Sequence, residues 1–257
     1  MAAQTVPVPA ADIHVEVDGP PGAPTLLLFS GARCNVGMWT PVLPALTERF
    51  RVVRHDIRGT GRSRAAEGAE YGLDRYADDA AAVLDALGID RVLVWGMAFG
   101  TRVALAFGAR HGGRTVALAL YDASVEAPDA QAQRDGAAEA KARRAELGLA
   151  EVERDRSWFE HDDDATLRVS LAAAYRDPDH SRYAESLSPM PVLIATGEFD
   201  PNLGASRRLR EMIPGARLEV MEAVGHGSVM QRPELCLSIL FDFLDPLATT
   251  LGPAASA

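Results

Sequence analysis

The stretch VLVWGMAFGTRVAL, residues 92–105, decides the fold. Residues 92–95 are an apolar run of strand length, and from Phe99 to Arg110 apolar residues return at helical spacing. Between them lies Gly96-Met97-Ala98-Phe99-Gly100. A chain that passes from strand to helix over so short a corner brings two backbones together. Glycine at both flanks removes the Cβ atoms that would collide. The middle residue, Ala98, is then forced into a strained conformation at the sheet edge. A buried strand, a sharp corner and a helix are the repeating unit of an α/β fold.

The same alternation runs outward from this corner. Residues 25–29, TLLLF, form a continuous apolar run, as expected of a strand buried on both faces of a parallel sheet. Residues 51–55, 116–121, 192–196 and 217–221 read as further strands, and Ile13, Val15 and Val17 alternate with polar neighbours in a half-buried one. Helices are expected over 39–50, with Thr40 as N-cap and Pro41 at the first position, and over 74–87, 204–213 and 233–247. Residues 1–9 read as a frayed arm and 252–257 as a mobile tail. The prediction is an α/β chain with a mostly parallel sheet and helices on both faces. Residues 128–187 are rich in Ala, Arg and Glu and carry no strand signal. They are too long for an ordinary loop, which predicts a helical cap over 126–189 on a core of 1–125 and 190–257. Trp158, Phe159 and Tyr175 are its expected contacts with the core.

Composition narrows the function classes. The 257 residues carry a formal charge of −10, which argues against nucleic acid as a partner. No apolar run reaches the roughly 18 residues of a membrane span, and the start lacks the pattern of a secretory signal. The two cysteines, Cys34 and Cys236, make no disulfide framework, so a cytoplasmic setting is expected. With no metal-ligand spacing and no dinucleotide fingerprint, no cofactor or metal is expected. The expected partner is a small molecule, with a homodimer left open. The acidic run 160–164 reads as a solvated face.

Ala98, Asp200 and His226 fall at the carboxyl ends of three strands, the edge where open α/β sheets build their sites. Asp122, also at a strand end, is a rival to Asp200. With these residues in place, the chain resembles the α/β-hydrolase superfamily over nearly its whole length. The motifs that carry the resemblance are Gly96-x-Ala98-x-Gly100 at the position of G-x-S-x-G, Asp56-x-Arg58-Gly59-x-Gly61-x-Ser63, Gly197-x-x-Asp200 and Gly225-His226. The resemblance implies a nucleophile–acid–base triad at Ala98, Asp200 and His226. It implies an oxyanion hole from the amides of Phe99 and of Ala32 or Arg33, and a pocket bordered by Gly31, Arg33, Met97 and Trp158. It implies action on a small, moderately apolar ester, lactone or diketone. Two departures stand out: Ser30-Gly31 replaces the usual His-Gly, and Ala98 has no nucleophilic atom. Either a serine was replaced there or the chain natively lacks one. In the second case His226 and Asp200 serve as a general base without covalent catalysis, or the fold only binds. Cys34 lies off the corner and is not read as a substitute nucleophile.

Overall fold

A computed structural model describes residues 2–123, 128–176, 181–187 and 189–248; the expected tail lies outside them. The strands are β1 (Ala2–Val8), β2 (Ala11–Asp18), β3 (Thr25–Phe29), β4 (Arg51–His55), β5 (Arg64–Ala65), β6 (Val92–Met97), β7 (Thr115–Tyr121), β8 (Val192–Gly197) and β9 (Arg217–Met221). Among the described residues they form one sheet in the order β1-β2-β4-β3-β6-β7-β8-β9, with β5 beside β2. From β4 through β9 every neighbour is parallel, and β1, β2 and β5 add an antiparallel edge.

The two-residue period of a strand sorts its side chains onto two cores. Leu27, Phe29, Val94, Leu118, Leu120 and Ile194 face one way. They meet α2 (Leu73–Ala86) and α3 (Phe99–Arg110), with α6 (Ser181–Glu185) and α7 (Leu203–Met212) beside them. Leu26, Leu28, Leu93, Trp95, Ala119 and Leu193 face the other way, onto α1 (Leu43–Thr47) and α8 (Pro233–Ala248). Because both faces are covered, apolar runs rather than alternation mark the central strands. Between β7 and β8 the described chain is helical: α4 (Ala130–Glu146), a 3₁₀ turn (Arg156–Phe159), α5 (Asp164–Tyr175) and α6. Asp129 and Asp163 cap α4 and α5 by accepting from the amides of their first turns. No helix of the described residues is long and apolar enough to cross a membrane.

Two local expectations are corrected. The arm at 1–9 is strand β1, paired antiparallel with β2 from Ala2↔Val17 to Val8↔Ala11, with Val6 buried. Its Pro7 is tolerated because β1 is an edge strand. The helix expected over 39–50 shrinks to a 3₁₀ turn (Val36–Trp39) and the short α1. Pro44 would sit inside a helix started at Thr40, where its ring collides with the preceding turn. At the start of α1 it costs nothing. Thr40 closes the 3₁₀ turn instead, its hydroxyl donating to the Gly37 carbonyl at 2.7 Å.

Candidate active site

The corner between β6 and α3 has the strained geometry that its glycines predict. Ala98 stands at φ 51°, ψ −115°. A Cβ on Gly96 would lie 2.7 Å from the Gly100 carbonyl oxygen, and one on Gly100 would lie 2.1 Å from that of Phe29. Neither position can hold a side chain without moving backbone. Hydrogen bonds hold Ala98 in place: its amide donates to the Tyr121 carbonyl at 2.8 Å, and its carbonyl accepts the Thr101 hydroxyl at 2.6 Å.

Asp200 follows β8 and His226 follows β9. His226 Nδ1 lies 3.0 Å from Asp200 Oδ2, and the carboxylate is fully buried. Its other oxygen accepts the Asn202 amide at 2.9 Å. Burial disfavours the imidazolium, but the hydrogen bond and charge of Asp200, and the charge of Asp122, outweigh that cost and raise the imidazole pKa. A proton on Nδ1 shared with Asp200 leaves Nε2 as the basic nitrogen.

Asp122 is the other strand-end carboxylate, and the structure gives it a different task. Its Oδ2 accepts the amides of Gly227 at 3.1 Å and Ser228 at 2.7 Å, so it ties down the loop that carries His226. It is fully buried, and burial together with the charge of Asp200 pushes its pKa up to about 7. Gln231 holds the same loop from the other side. Its amide nitrogen donates to the His226 carbonyl at 2.7 Å and its oxygen accepts from Gly225 and Arg144. The sequence reading had no role for Asn202 or Gln231, since neither follows a strand or belongs to a motif.

Ala98 and His226 border one cavity of 580 Å³. Gly31, Ala32, Arg33, Met97 and Phe99 border it too. The Phe99 amide opens α3, where the first N–H groups of a helix have no partner within it. Ala32 belongs to the loop after β3, anchored where the Trp39 indole donates to the Ser30 hydroxyl at 3.0 Å. The roof is built by the helical segment between β7 and β8, through residues such as Pro128, Gln133, Phe159, Leu171 and Tyr175. Trp158 is not among the lining residues. It is buried beside Gly37, its carbonyl accepting the Asn35 amide at 2.9 Å, and its neighbour Phe159 reaches the cavity instead. Burial pushes the Cys34 thiol up to about 12, which keeps it protonated and poorly nucleophilic.

The Asp56–Ser63 motif is scaffolding for this edge. Asp56 accepts the amides of Val36 at 2.8 Å and Arg62 at 2.9 Å, joining the loops after β3 and β4. Arg58 makes a two-pronged bond to Asp79 of α2, both contacts at 2.7 Å. His55 is fully buried edge-on to Phe29. Among the described residues no group of three or more His, Cys, Asp or Glu side chains could hold a metal ion.

Comparison with known proteins agrees with this architecture. The Alpha/beta hydrolase family matches residues 26–239. A protein of Caulobacter sp. K31 named "Putative carbamate hydrolase RutD" is 29% identical over 90% of this chain and 95% of its own length. One of the same name from Caulobacter segnis is 40% identical over 125 residues, which is 48% of this chain and 46% of that protein. The 3-oxoadipate enol-lactonase 1 of Acinetobacter baylyi is 26% identical over 90% of this chain and 92% of its own. Among solved structures, the enol-lactonase from Burkholderia xenovorans LB400 superposes with a TM-score of 0.78 at 24% identity, covering 94% of this chain and 100% of that one. That likeness is one of fold.

Proposed function

The chain belongs to the α/β hydrolase family, and on that premise we propose that it hydrolyses a small ester or lactone with water activated by His226 and Asp200. The observation that carries this is the intact 3.0 Å His226–Asp200 pair on a cavity whose corner residue, Ala98, has no hydroxyl. A serine at the corner would be the group that His226 deprotonates. With a methyl there, a water in the cavity that Ala98 and His226 share takes the serine's part as the group the imidazole deprotonates. Water loses its proton to Nε2 as its oxygen bonds to the carbonyl carbon. The amides of Phe99 and Ala32 hold the oxyanion. The tetrahedral species then expels the alkoxide, which takes the proton back from the imidazolium. Acid and alcohol leave, and no acyl-enzyme forms. The relatives' names, a carbamate hydrolase and an enol-lactonase, also describe cleavage at a carbonyl bearing a heteroatom.

Magnitudes set the expected rate. A positioned general base contributes about 10²- to 10⁴-fold, and an oxyanion donor about 3–4 kcal/mol. Loss of a serine nucleophile costs roughly 10⁶ in turnover, leaving about 10³- to 10⁴-fold over water. Turnover of p-nitrophenyl acetate should therefore be slow, free of a burst, and about 10²- to 10⁴-fold lower in His226→Ala. Ala98→Ser should raise it by orders of magnitude and introduce a burst of p-nitrophenol. A slow rate unchanged in His226→Ala would overturn the proposal and leave a binding protein on the same fold.

A further inference from the structure

The cavity carries charge that the hydrolytic step does not use. Arg33 from the loop after β3, Arg154 from the chain leading to the 156–159 turn, and Arg168 from α5 all border it. No aspartate or glutamate borders it among the described residues. All three arginines are exposed, which places them at the mouth. Elsewhere in the chain Arg54, Arg58, Arg110, Arg144 and Arg217 each meet a carboxylate. Among the described residues Arg33, Arg154 and Arg168 form no ion pair. Of the nearby acids, Asp155 accepts the Ser157 amide at 2.8 Å, Asp163 accepts the amides of Ala165 and Thr166, and Glu151 pairs with Arg144. Glu151 and Asp163 feel the charges of Arg154 and Arg168, respectively, without forming an ion pair with them. Arg33 is moreover held at φ 58°, a left-handed conformation that a residue with a Cβ rarely adopts. Three arginines that border one cavity without an ion-pair partner among the described residues stand out in a chain of net charge −10.

Resting on the hydrolytic reading above, we propose that the substrate bears a carboxylate at the end remote from the reacting carbonyl, received at the mouth by Arg33, Arg154 and Arg168. A guanidinium is always charged and matches a carboxylate with two parallel hydrogen bonds. Met97, Leu171 and Met230 line the same cavity and suit a short hydrocarbon linker. The volume of 580 Å³ lies within the range that encloses a small ligand. A half-ester of a short dicarboxylic acid is the simplest compound of this class. Cations at the mouth also attract an anion before contact, and salt weakens that attraction.

The test compares monomethyl glutarate with dimethyl glutarate, which differ in one negative charge. Turnover is measured at low and high salt, and binding by calorimetry, for the parent chain and for the double variant Arg154→Gln/Arg168→Gln. Exposed ion pairs are individually weak, so the combined effect expected is a KM about tenfold lower for the half-ester. That gap should narrow at high salt and close in the double variant, with kcat on the diester unchanged. Turnover of both esters with equal KM, or a gap that survives salt and the double variant, overturns the carboxylate assignment and leaves the hydrolytic reading standing. Turnover of neither, with arginine-dependent binding of the half-ester alone, overturns the hydrolytic reading and keeps the anion site. A circular dichroism spectrum matching the parent's shows that the double variant is folded.

Discussion

Ala98 holds a backbone conformation suited to glycine, at φ 51° and ψ −115°. Such strain costs about 1–3 kcal/mol, while a glycine there would cost about 0.5–1 kcal/mol in unfolded-chain entropy. Relief outweighs entropy, so Ala98→Gly is expected to stabilise the fold by about 1 kcal/mol, read as a higher urea midpoint with an unchanged slope. A lower midpoint would mean that the Ala98 methyl packs better than the corner costs. His226 makes the proposed reaction pH-dependent. Only neutral imidazole accepts a proton from water, and Asp200 and Asp122 raise its pKa against the cost of burial. The acid limb of the rate profile should therefore fall above the ordinary imidazole value of about 6.5. Asp122 gives a separate signal, in stability. Its folded pKa of about 7 exceeds its ordinary 3.8, so the folded chain holds that proton more tightly than the unfolded one. The associated stability is complete below about pH 4 and is lost as pH rises through about 7. Asparagine does not titrate, so the midpoint gap between Asp122→Asn and the parent should shift toward the variant between about pH 5 and about pH 8. A constant gap would show that the Asp122 pKa is the same folded and unfolded.

The helix α4 approaches the loops of Asp200 and His226 through one small residue. A Cβ on Gly136 would lie 2.0 Å from the Phe199 carbonyl oxygen, and one on Gly225 would lie 3.0 Å from the Gly136 carbonyl oxygen. In an open helix, Gly→Ala gains about 1 kcal/mol. Here the contact is backbone and cannot yield cheaply, so Gly136→Ala is expected to destabilise by about 1–3 kcal/mol. It should also push α4 off the residue before Asp200, lowering turnover more than a surface Gly→Ala such as Gly113→Ala. A stabilised Gly136→Ala would show that α4 does not pack this closely. This contact also marks what sequence could tell. The parallel strands were legible because β3, β6, β7 and β8 are apolar runs buried on both faces. Ala98 and Asp200 could be placed at one sheet edge because each follows such a strand, and His226 because it follows β9, whose residues are mostly exposed or half-buried. Which carboxylate reaches the imidazole was not, since Asp122 and Asp200 both end strands and only loop geometry separates them. The phase of the 156–159 turn was hidden as well, which is why Phe159 rather than Trp158 borders the cavity. The arginines at the mouth come from three distant segments, so no local pattern joins them.

The antiparallel edge, the parallel sheet and α2 meet at a single buried ion pair, Arg58–Asp79, whose side chains are 1% and 3% exposed. The guanidinium also donates to the carbonyls of Pro9 at 2.8 Å and Ala10 at 3.2 Å, in the turn between β1 and β2. The Arg58 carbonyl accepts the Ser170 hydroxyl of α5 at 2.8 Å. One residue thus links the edge hairpin, α2 and the helical segment over the site. A buried pair adds little net stability against an apolar replacement, because taking two charges out of water offsets their attraction. Removing one partner is different, since it leaves a bare charge inside. Arg58→Met strands Asp79 and is expected to cost about 3–5 kcal/mol. The double variant Arg58→Met/Asp79→Leu removes both charges and should recover much of that loss. It should not recover all of it, because the carbonyls of Pro9 and Ala10 lose their donors at about 1 kcal/mol each. Urea midpoints of the parent, the two single variants and the double variant close the cycle. Additive losses in the double variant would show that the two side chains act separately. Hydrogen exchange at β1 adds a second readout: its amides should exchange faster in Arg58→Met and in the double variant alike, because both lose the donors that hold the hairpin turn.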